Sequence, residues 1–206
     1  MKTKKSLFKD FTTLALVLIP VGIAINYVGG LLVKVLQLPL FLDGIGTVVV
    51  SIVAGPWVGA LTGTLYNIIF GLTVDPVYIP YAICNVAFAL IAGFMARGGW
   101  FEKWYKVLLV AVCLVAGAVI TSVPLDVLLF GGAAQGAAGI FQGYLIAIGV
   151  GIWKAVFATT ILRELADKTL TAFISYFIYK ALPARFLSKF PGGAYNYIKR
   201  PTTETK

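Results

Sequence analysis

Long apolar stretches constrain the fold of this chain more than any other feature. Six of them run at about 12–36, 41–55, 57–74, 79–96, 107–130 and 140–162, and a shorter one follows at 169–182. A bilayer-spanning helix needs about 20 mostly apolar residues. Apolar residues make up 60% of the chain and charged residues only 12%. The sequence therefore predicts an all-α integral membrane protein, with residues 1–190 forming a single transmembrane domain.

The basic residues predict how the chain is oriented, because Lys and Arg accumulate on the cytoplasmic side of short loops. Four of them precede the first stretch, three lie within 97–106 and eight follow from residue 163 onward, out of 17 in total. All of these share one side if six spans precede residue 163. We therefore predict six transmembrane helices with both termini in the cytoplasm.

The C-terminal part of the chain carries two further predictions. Apolar residues recur at helical spacing over 169–182, which is short for a span, so this stretch predicts an amphipathic helix at the inner membrane surface. The alternative is a cytoplasmic extension of the sixth helix. Residues 191–206 contain a Pro and a Gly pair and predict a loosely ordered cytoplasmic tail.

Polar residues inside apolar stretches are costly and so indicate function. In the predicted topology most of them lie toward the outer side, which predicts a polar pocket open to the outside. Asp43 and Asp75 are equally well explained as the beginning of a helix or turn, whereas Asp126 lies within an apolar stretch and favours a site. Lys154 is equally well explained as a structural lysine in an ion pair and as a ligand contact. The predicted substrate-binding residues are Asp43, Tyr66, Asn67, Asp75, Tyr78, Tyr81, Asn85, Asp126, Gln142 and Lys154.

Small residues at four-residue spacing let a second helix approach closely. Such rows are either contacts within the bundle or a docking face for a membrane partner. Gly59 and Gly63 belong to one such row and are candidate docking residues.

Several function classes find no support in the residues. The chain has no His, and its two Cys lie inside apolar stretches, which does not fit a catalytic pair, a zinc cluster or a disulfide framework. No ATP-binding loop is present, and the net charge of +9 is explained by topology rather than by nucleic-acid binding. We therefore expect no enzymatic activity and no cofactor. A passive channel would need a polar stripe through several spans, yet the polar residues thin out toward the inner side.

The segment LPLFLDGIGTVVVSIVAGPWVGALTGTLYNIIFGL, residues 38–72, resembles the substrate-binding S-components of energy-coupling factor (ECF) vitamin transporters. The likeness rests on an Asp that opens a short span, then IGT, GPWVGALTG and a late Asn. SVPLDVLLFGG at 122–132 and RELADKTLTAFISYFIYKALP at 163–183 resemble the same group.

The resemblance implies a subunit of the bacterial plasma membrane that captures a vitamin from outside. Its partners would be a transmembrane T-component and two ATPases, which hydrolyse the ATP. Members of this family often bind the T-component through an AxxxA motif in the first span, where this chain has Ala15 and Ala24 but no AxxxA. The resemblance therefore also makes docking candidates of the small pairs Ala89 with Gly93 and Ala92 with Ala96.

The charge of the predicted pocket bears on the ligand. An anionic vitamin would favour basic residues, but this pocket offers only Lys34 near its rim and Lys154, against three Asp. We therefore expect a neutral or cationic vitamin that is rich in hydrogen-bond donors. Cobalamin fits best, and among S-components the chain resembles the cobalamin-type subgroup. A thiamine precursor or pyridoxine also fits. A membrane sensor module and a passive channel remain the alternatives from other classes.

Overall fold

A computed structural model describes residues 10–132 and 136–199, with the backbone alone described at 136–138. The regular structure of these residues is helical, which confirms the predicted all-α class. The helices in chain order are α1 Thr13–Leu36, α2 Ile45–Ala54, α3 Pro56–Thr73, α4 Ala82–Arg97, α5 Trp104–Phe130, α6 Gly136–Ala147, α7 Ile152–Ala181, α8 Ala184–Leu187 and α9 Ala194–Ile198. A short 3₁₀ turn, Pro76–Tyr78, precedes α4.

Two of the described helices, α1 and α5, are long and apolar enough to cross a membrane. The predicted second span has a different form, because α2 has ten residues and is only about 15 Å long. That is half of the bilayer core. All ten residues of α2 are buried, and it packs against α1, α3, α4 and α7. It is a short central helix whose length alone does not make it a span.

Large apolar side chains cover much of the outer surface of the bundle, while several polar side chains lie inside it. Ile120 and Leu128 of α5 are each 72% exposed, whereas Asn26, Thr62 and Asn67 are fully buried. A soluble protein shows the opposite tendency, with polar residues mostly exposed. An apolar outer surface suits contact with lipid.

The bundle has two distinct ends. At the first, which we call the Arg97 end, Arg97 at the end of α4 binds Asp10 before α1 and the carbonyl oxygen of Gly192. Gly55, in the α2–α3 turn, also lies here, with φ of +115° and no room for a Cβ between Asp10 and Gly192. At the other end, which we call the pocket end, Asp126 near the end of α5 contacts the start of α4 and the middle of α7.

Helix α7 corrects two sequence predictions. It runs unbroken through Ile152–Ala181, so the separate amphipathic helix predicted at 169–182 is wrong, and the stretch at 140–162 is divided between α6 and α7. Thr171 and Ser175 of α7 are buried, while Phe177 is 64% exposed. Hydropathy detects two faces of a helix but not which one packs inward, and here the polar face is the inner one.

The predicted loose tail at 191–206 is wrong for residues 191–199, while residues 200–206 lie outside the described residues. Phe190 and Ala194 are each 1% exposed, and the backbone at Gly193 lies directly against Val53 at the end of α2. A Cβ at Gly193 would collide with that backbone. Gly192 and Gly193, which suggested a loose chain, instead permit close packing of this segment against the end of α2.

Candidate functional site

A small cavity of about 60 Å³ lies at the pocket end. Its walls come from the loop before α2, the 3₁₀ turn, and helices α4, α5 and α7. The lining residues are Phe41, Asp43, Val77, Tyr78, Tyr81, Cys84, Asn85, Phe88, Ala118, Ser122, Asp126, Arg163, Glu164 and Lys168. This volume is below the range usual for small-molecule sites, about 300–1,000 Å³, so binding of a small molecule would require the lining side chains to move apart.

The fold brings five of the ten predicted site residues together around this cavity. They are Asp43, Tyr78, Tyr81, Asn85 and Asp126. Tyr81 donates its hydroxyl hydrogen to Asp126, which joins the beginning of α4 to the end of α5. The five share helix ends or loops at the same end of the bundle, and this is why reasoning about topology could group them.

Two predicted residues lie behind the cavity wall. The side-chain amide of Asn67 donates to the carbonyl oxygen of Tyr78 at 2.8 Å and accepts from Asn85 at 2.6 Å. It positions two lining residues without lining the cavity itself. Tyr66 is fully buried and packs against Phe70 with ring centroids 5.4 Å apart.

The other three predicted residues do not line the cavity. Asp75 accepts from the backbone N–H of Val77 at 3.2 Å and pairs with Lys34 at 3.1 Å, so it begins a turn. Gln142 accepts from Thr159 at 2.7 Å and thereby ties α6 to α7. Lys154 is exposed and does not line the cavity.

Sequence reasoning missed three charged residues of the site, Arg163, Glu164 and Lys168. The charge pattern of the sequence predicts Arg163 and Lys168 among the cytoplasmic charges, whereas in the structure both line the cavity, Arg163 beside Asp126 and Lys168 beside Glu164. A signal was present: from Glu164 through Lys168 and Thr171, polar residues recur on one helical face of an otherwise apolar stretch. A charge that is paired inside the bundle carries no information on topology.

Two ion-pair groups organise these charges. Lys168 binds Asp167 at 2.6 Å and lies 3.3 Å from Glu164. Arg163 lies 3.6 Å from Glu164 and 3.9 Å from Asp126, which is too long for strong hydrogen bonds. Its guanidinium stacks over Phe41, 4.4 Å from the ring centroid.

Asp167 fixes the loop that carries Phe41 over the cavity. Its carboxylate accepts the backbone N–H groups of Phe41 and Leu42 at 3.0 and 2.8 Å. Leu42 has φ of +51°, a conformation that is uncommon outside glycine. A buried acid therefore holds the loop from α1 to α2 in place.

Several polar atoms around the cavity have no hydrogen-bond partner among residues 10–132 and 136–199. They are Asn85 Oδ1, Ser122 Oγ, Asp126 Oδ2 and Arg163 Nε. Buried polar atoms are normally paired. The group includes acceptors and donors, so it could bind a ligand that offers both.

The predicted docking residues lie inside the bundle and offer no surface to a partner. All six are buried. A Cβ at Gly63 would meet Asn85 and Thr47, and one at Gly93 would meet the backbone of Pro56. The small residues therefore allow α2, α3 and α4 to pack closely. This agrees with the alternative that such rows form contacts within the bundle.

The cavity has the character of a binding site. In the described parts of the chain, no three His, Cys, Asp or Glu side chains form a group that could hold a metal ion. Charged, amide, hydroxyl and aromatic groups converge instead, as in sites that orient a small organic molecule. No protein-family model, curated protein or solved structure matches this chain.

Proposed function

We propose that this protein is the membrane-embedded S-component of an ECF-type transporter and binds a vitamin from outside the cell. The observation that carries the proposal is the polar, charged cavity at one end of a bundle whose outer surface is apolar. The resemblance of residues 38–72, 122–132 and 163–183 to S-components supplies the transporter class. ATP hydrolysis would belong to the two partner ATPases.

The distribution of exposed charge supports the orientation in which the Arg97 end faces the cytoplasm. Exposed basic side chains cluster at this end, and aromatic residues accompany them, as at a membrane interface. They are Lys103, Lys180, Arg185, Lys189 and Lys199. The cavity would then open to the outer side.

The cavity volume favours the smaller vitamins among those expected. A cavity of about 60 Å³ must widen to take any vitamin, and it must widen least for a small one such as a thiamine precursor or pyridoxine. Cobalamin, with its corrin ring and nucleotide loop, is much larger than a drug-sized ligand. We therefore place a thiamine precursor or pyridoxine before cobalamin.

The outer face of α1 is the best remaining candidate for contact with the T-component. Ala15 is buried, but Ala24 is exposed in a shallow apolar groove between α1 and α3. Its lining residues are Pro20, Ile23, Ala24, Tyr27, Val28 and Ile69. Ala24→Leu should reduce co-purification with the T-component and leave ligand binding unchanged, because added bulk separates the two helices. Ala147→Leu, on the exposed face of α6, is the matched control.

The direct test is purification of the tagged chain from its native membranes with mass spectrometry of bound proteins and small molecules. We expect a T-component, two ATPases and a vitamin. Reconstitution of the purified complex in vesicles should then give vitamin uptake that requires ATP. Uptake by the chain alone, down a gradient and without ATP, would instead establish a channel, and a signalling protein as the sole companion would establish a sensor.

A further inference from the structure

Asp43 is a buried carboxylate of the cavity that lacks a counter-ion at close range. It is 8% exposed and lines the cavity. Within residues 10–132 and 136–199, no Lys or Arg nitrogen lies within 4.0 Å of its carboxylate. Lys168 attracts it from a longer distance, but that ammonium already binds Asp167 directly at 2.6 Å.

The charges around the cavity are unequal. Three lining carboxylates, Asp43, Asp126 and Glu164, face two lining cations, and the carboxylate of Asp167 lies directly behind Lys168. A buried charge without compensation is costly. A positively charged ligand would remove that cost, whereas a neutral ligand would leave it and an anion would increase it.

Aromatic rings line the same cavity and are suited to a cation. Two of them already hold protein cations, since Arg163 stacks over Phe41 and Lys168 lies 4.1 Å from the ring centroid of Phe88. Tyr78 and Tyr81 also line the cavity. Their rings can contact a planar ligand, and the attraction of a ring face for a positive charge adds to that of the carboxylate.

We propose that the ligand is a small ring-bearing organic cation whose positive charge pairs with the carboxylate of Asp43. The inference rests on the proposed function and changes its order of ligands, because it places a cationic relative, such as pyridoxamine or thiamine, before the uncharged pyridoxine and thiamine precursor. Asn85 Oδ1 and Asp126 Oδ2 are then acceptors for further N–H or O–H groups of the ligand.

The first experiment compares matched ligands on the wild-type full-length protein in lipid nanodiscs by calorimetric titration. Pyridoxamine carries an ammonium where pyridoxine carries a hydroxyl, and thiamine carries a thiazolium that its pyrimidine precursor lacks. We expect the cation of at least one pair to bind at least about tenfold more tightly. Equal affinity within both pairs, or no binding of any of the four compounds, would overturn the inference. The proposed function would still be judged separately by co-purification of the T-component and ATPases.

The second experiment assigns the charge to Asp43. Asp43→Asn keeps the size of the side chain and removes its charge, so the preference for the cation within the pair should fall to about threefold or less. Glu102→Gln, an exposed acid at the Arg97 end, should keep the full preference. An Asp43→Asn protein that binds the cation as tightly as wild type would overturn the assignment. If that variant does not fold, the wild-type comparison of matched ligands still decides the inference.

Discussion

The two ends of the bundle each contain a largely buried arginine, and the two arginines are held in different ways. At the Arg97 end, Arg97 donates to Asp10 at 2.5 Å and to the carbonyl oxygen of Gly192 at 2.8 and 3.0 Å. Its guanidinium also stacks on Tyr197 at 4.3 Å. At the pocket end, Arg163 approaches its carboxylates only to 3.6 and 3.9 Å, and its Nε has no hydrogen-bond partner among the described residues.

The difference distinguishes a structural contact from a binding site. Charge-assisted hydrogen bonds with short distances stabilise the folded state, and the Arg97 end uses them to join the first and last described segments to α4. The pocket end retains buried polar atoms without partners, which costs stability. Their capacity to form hydrogen bonds is available to a ligand.

The largest expected effect is an all-or-none difference between the ends in labelling by a membrane-impermeant maleimide. In a variant with Cys84 and Cys113 replaced, Thr73→Cys at the pocket end should be labelled in intact cells. Lys103→Cys at the Arg97 end should be labelled only after permeabilisation, because the proposed orientation places the basic end in the cytoplasm. Labelling of Lys103→Cys in intact cells would show that the orientation is reversed or that the chain crosses the membrane differently.

The next effect is on stability. Arg97→Ala leaves Asp10 and the Gly192 carbonyl buried without their donor, so we expect a loss of roughly 3–5 kcal/mol. Arg163→Ala removes two longer ion contacts and the stacking on Phe41 and should cost less. Thermal unfolding of the detergent-purified proteins measures both, with the exposed Arg185→Ala as control. Equal losses for Arg97→Ala and Arg163→Ala would remove the distinction between the two ends.

A smaller effect, on ligand affinity, is expected at Asp126. Asp126→Ala removes an acceptor worth roughly 1.5–3 kcal/mol for each charge-assisted hydrogen bond, or about one to two decades in Kd. Asp126→Asn keeps the shape and one acceptor and should weaken binding less. Titration with whichever vitamin co-purifies measures the change. Unchanged affinity in Asp126→Ala would exclude this residue from the site.

The smallest effect is expected at the exposed pair of Lys34 with Asp75, which lies at the pocket end but outside the cavity. The Lys34 side chain is 42% exposed, and ion pairs of this kind contribute about 0–1 kcal/mol. Lys34→Ala should therefore change neither the unfolding temperature by more than a few degrees nor the ligand affinity. A loss of affinity near that of Asp126→Ala would extend the site to the surface.

Much of the helical organisation was predictable from local sequence. The apolar stretches at 12–36, 57–74 and 107–130 match α1, α3 and α5 to within about three residues at each end, because hydropathy and flanking Gly or Pro are local signals. Local signals failed for α7, since its polar face is buried against α2 and α5. They also failed for residues 191–199, where the absence of a Cβ at two glycines permits contact with α2.

The sequence by itself determined the all-helical class, the apolar surface and five residues of the candidate site. These follow from composition, periodicity and the cost of polar groups in apolar segments. Only the tertiary structure decided that Arg163, Glu164 and Lys168 join that site, and that Gly59 and Gly63 serve packing within the bundle. The reason is physical: the effect of a charge or a small residue depends on which groups the fold places opposite it. Asp43 and Glu164, 121 positions apart along the chain, line one cavity only because helix packing brings them together.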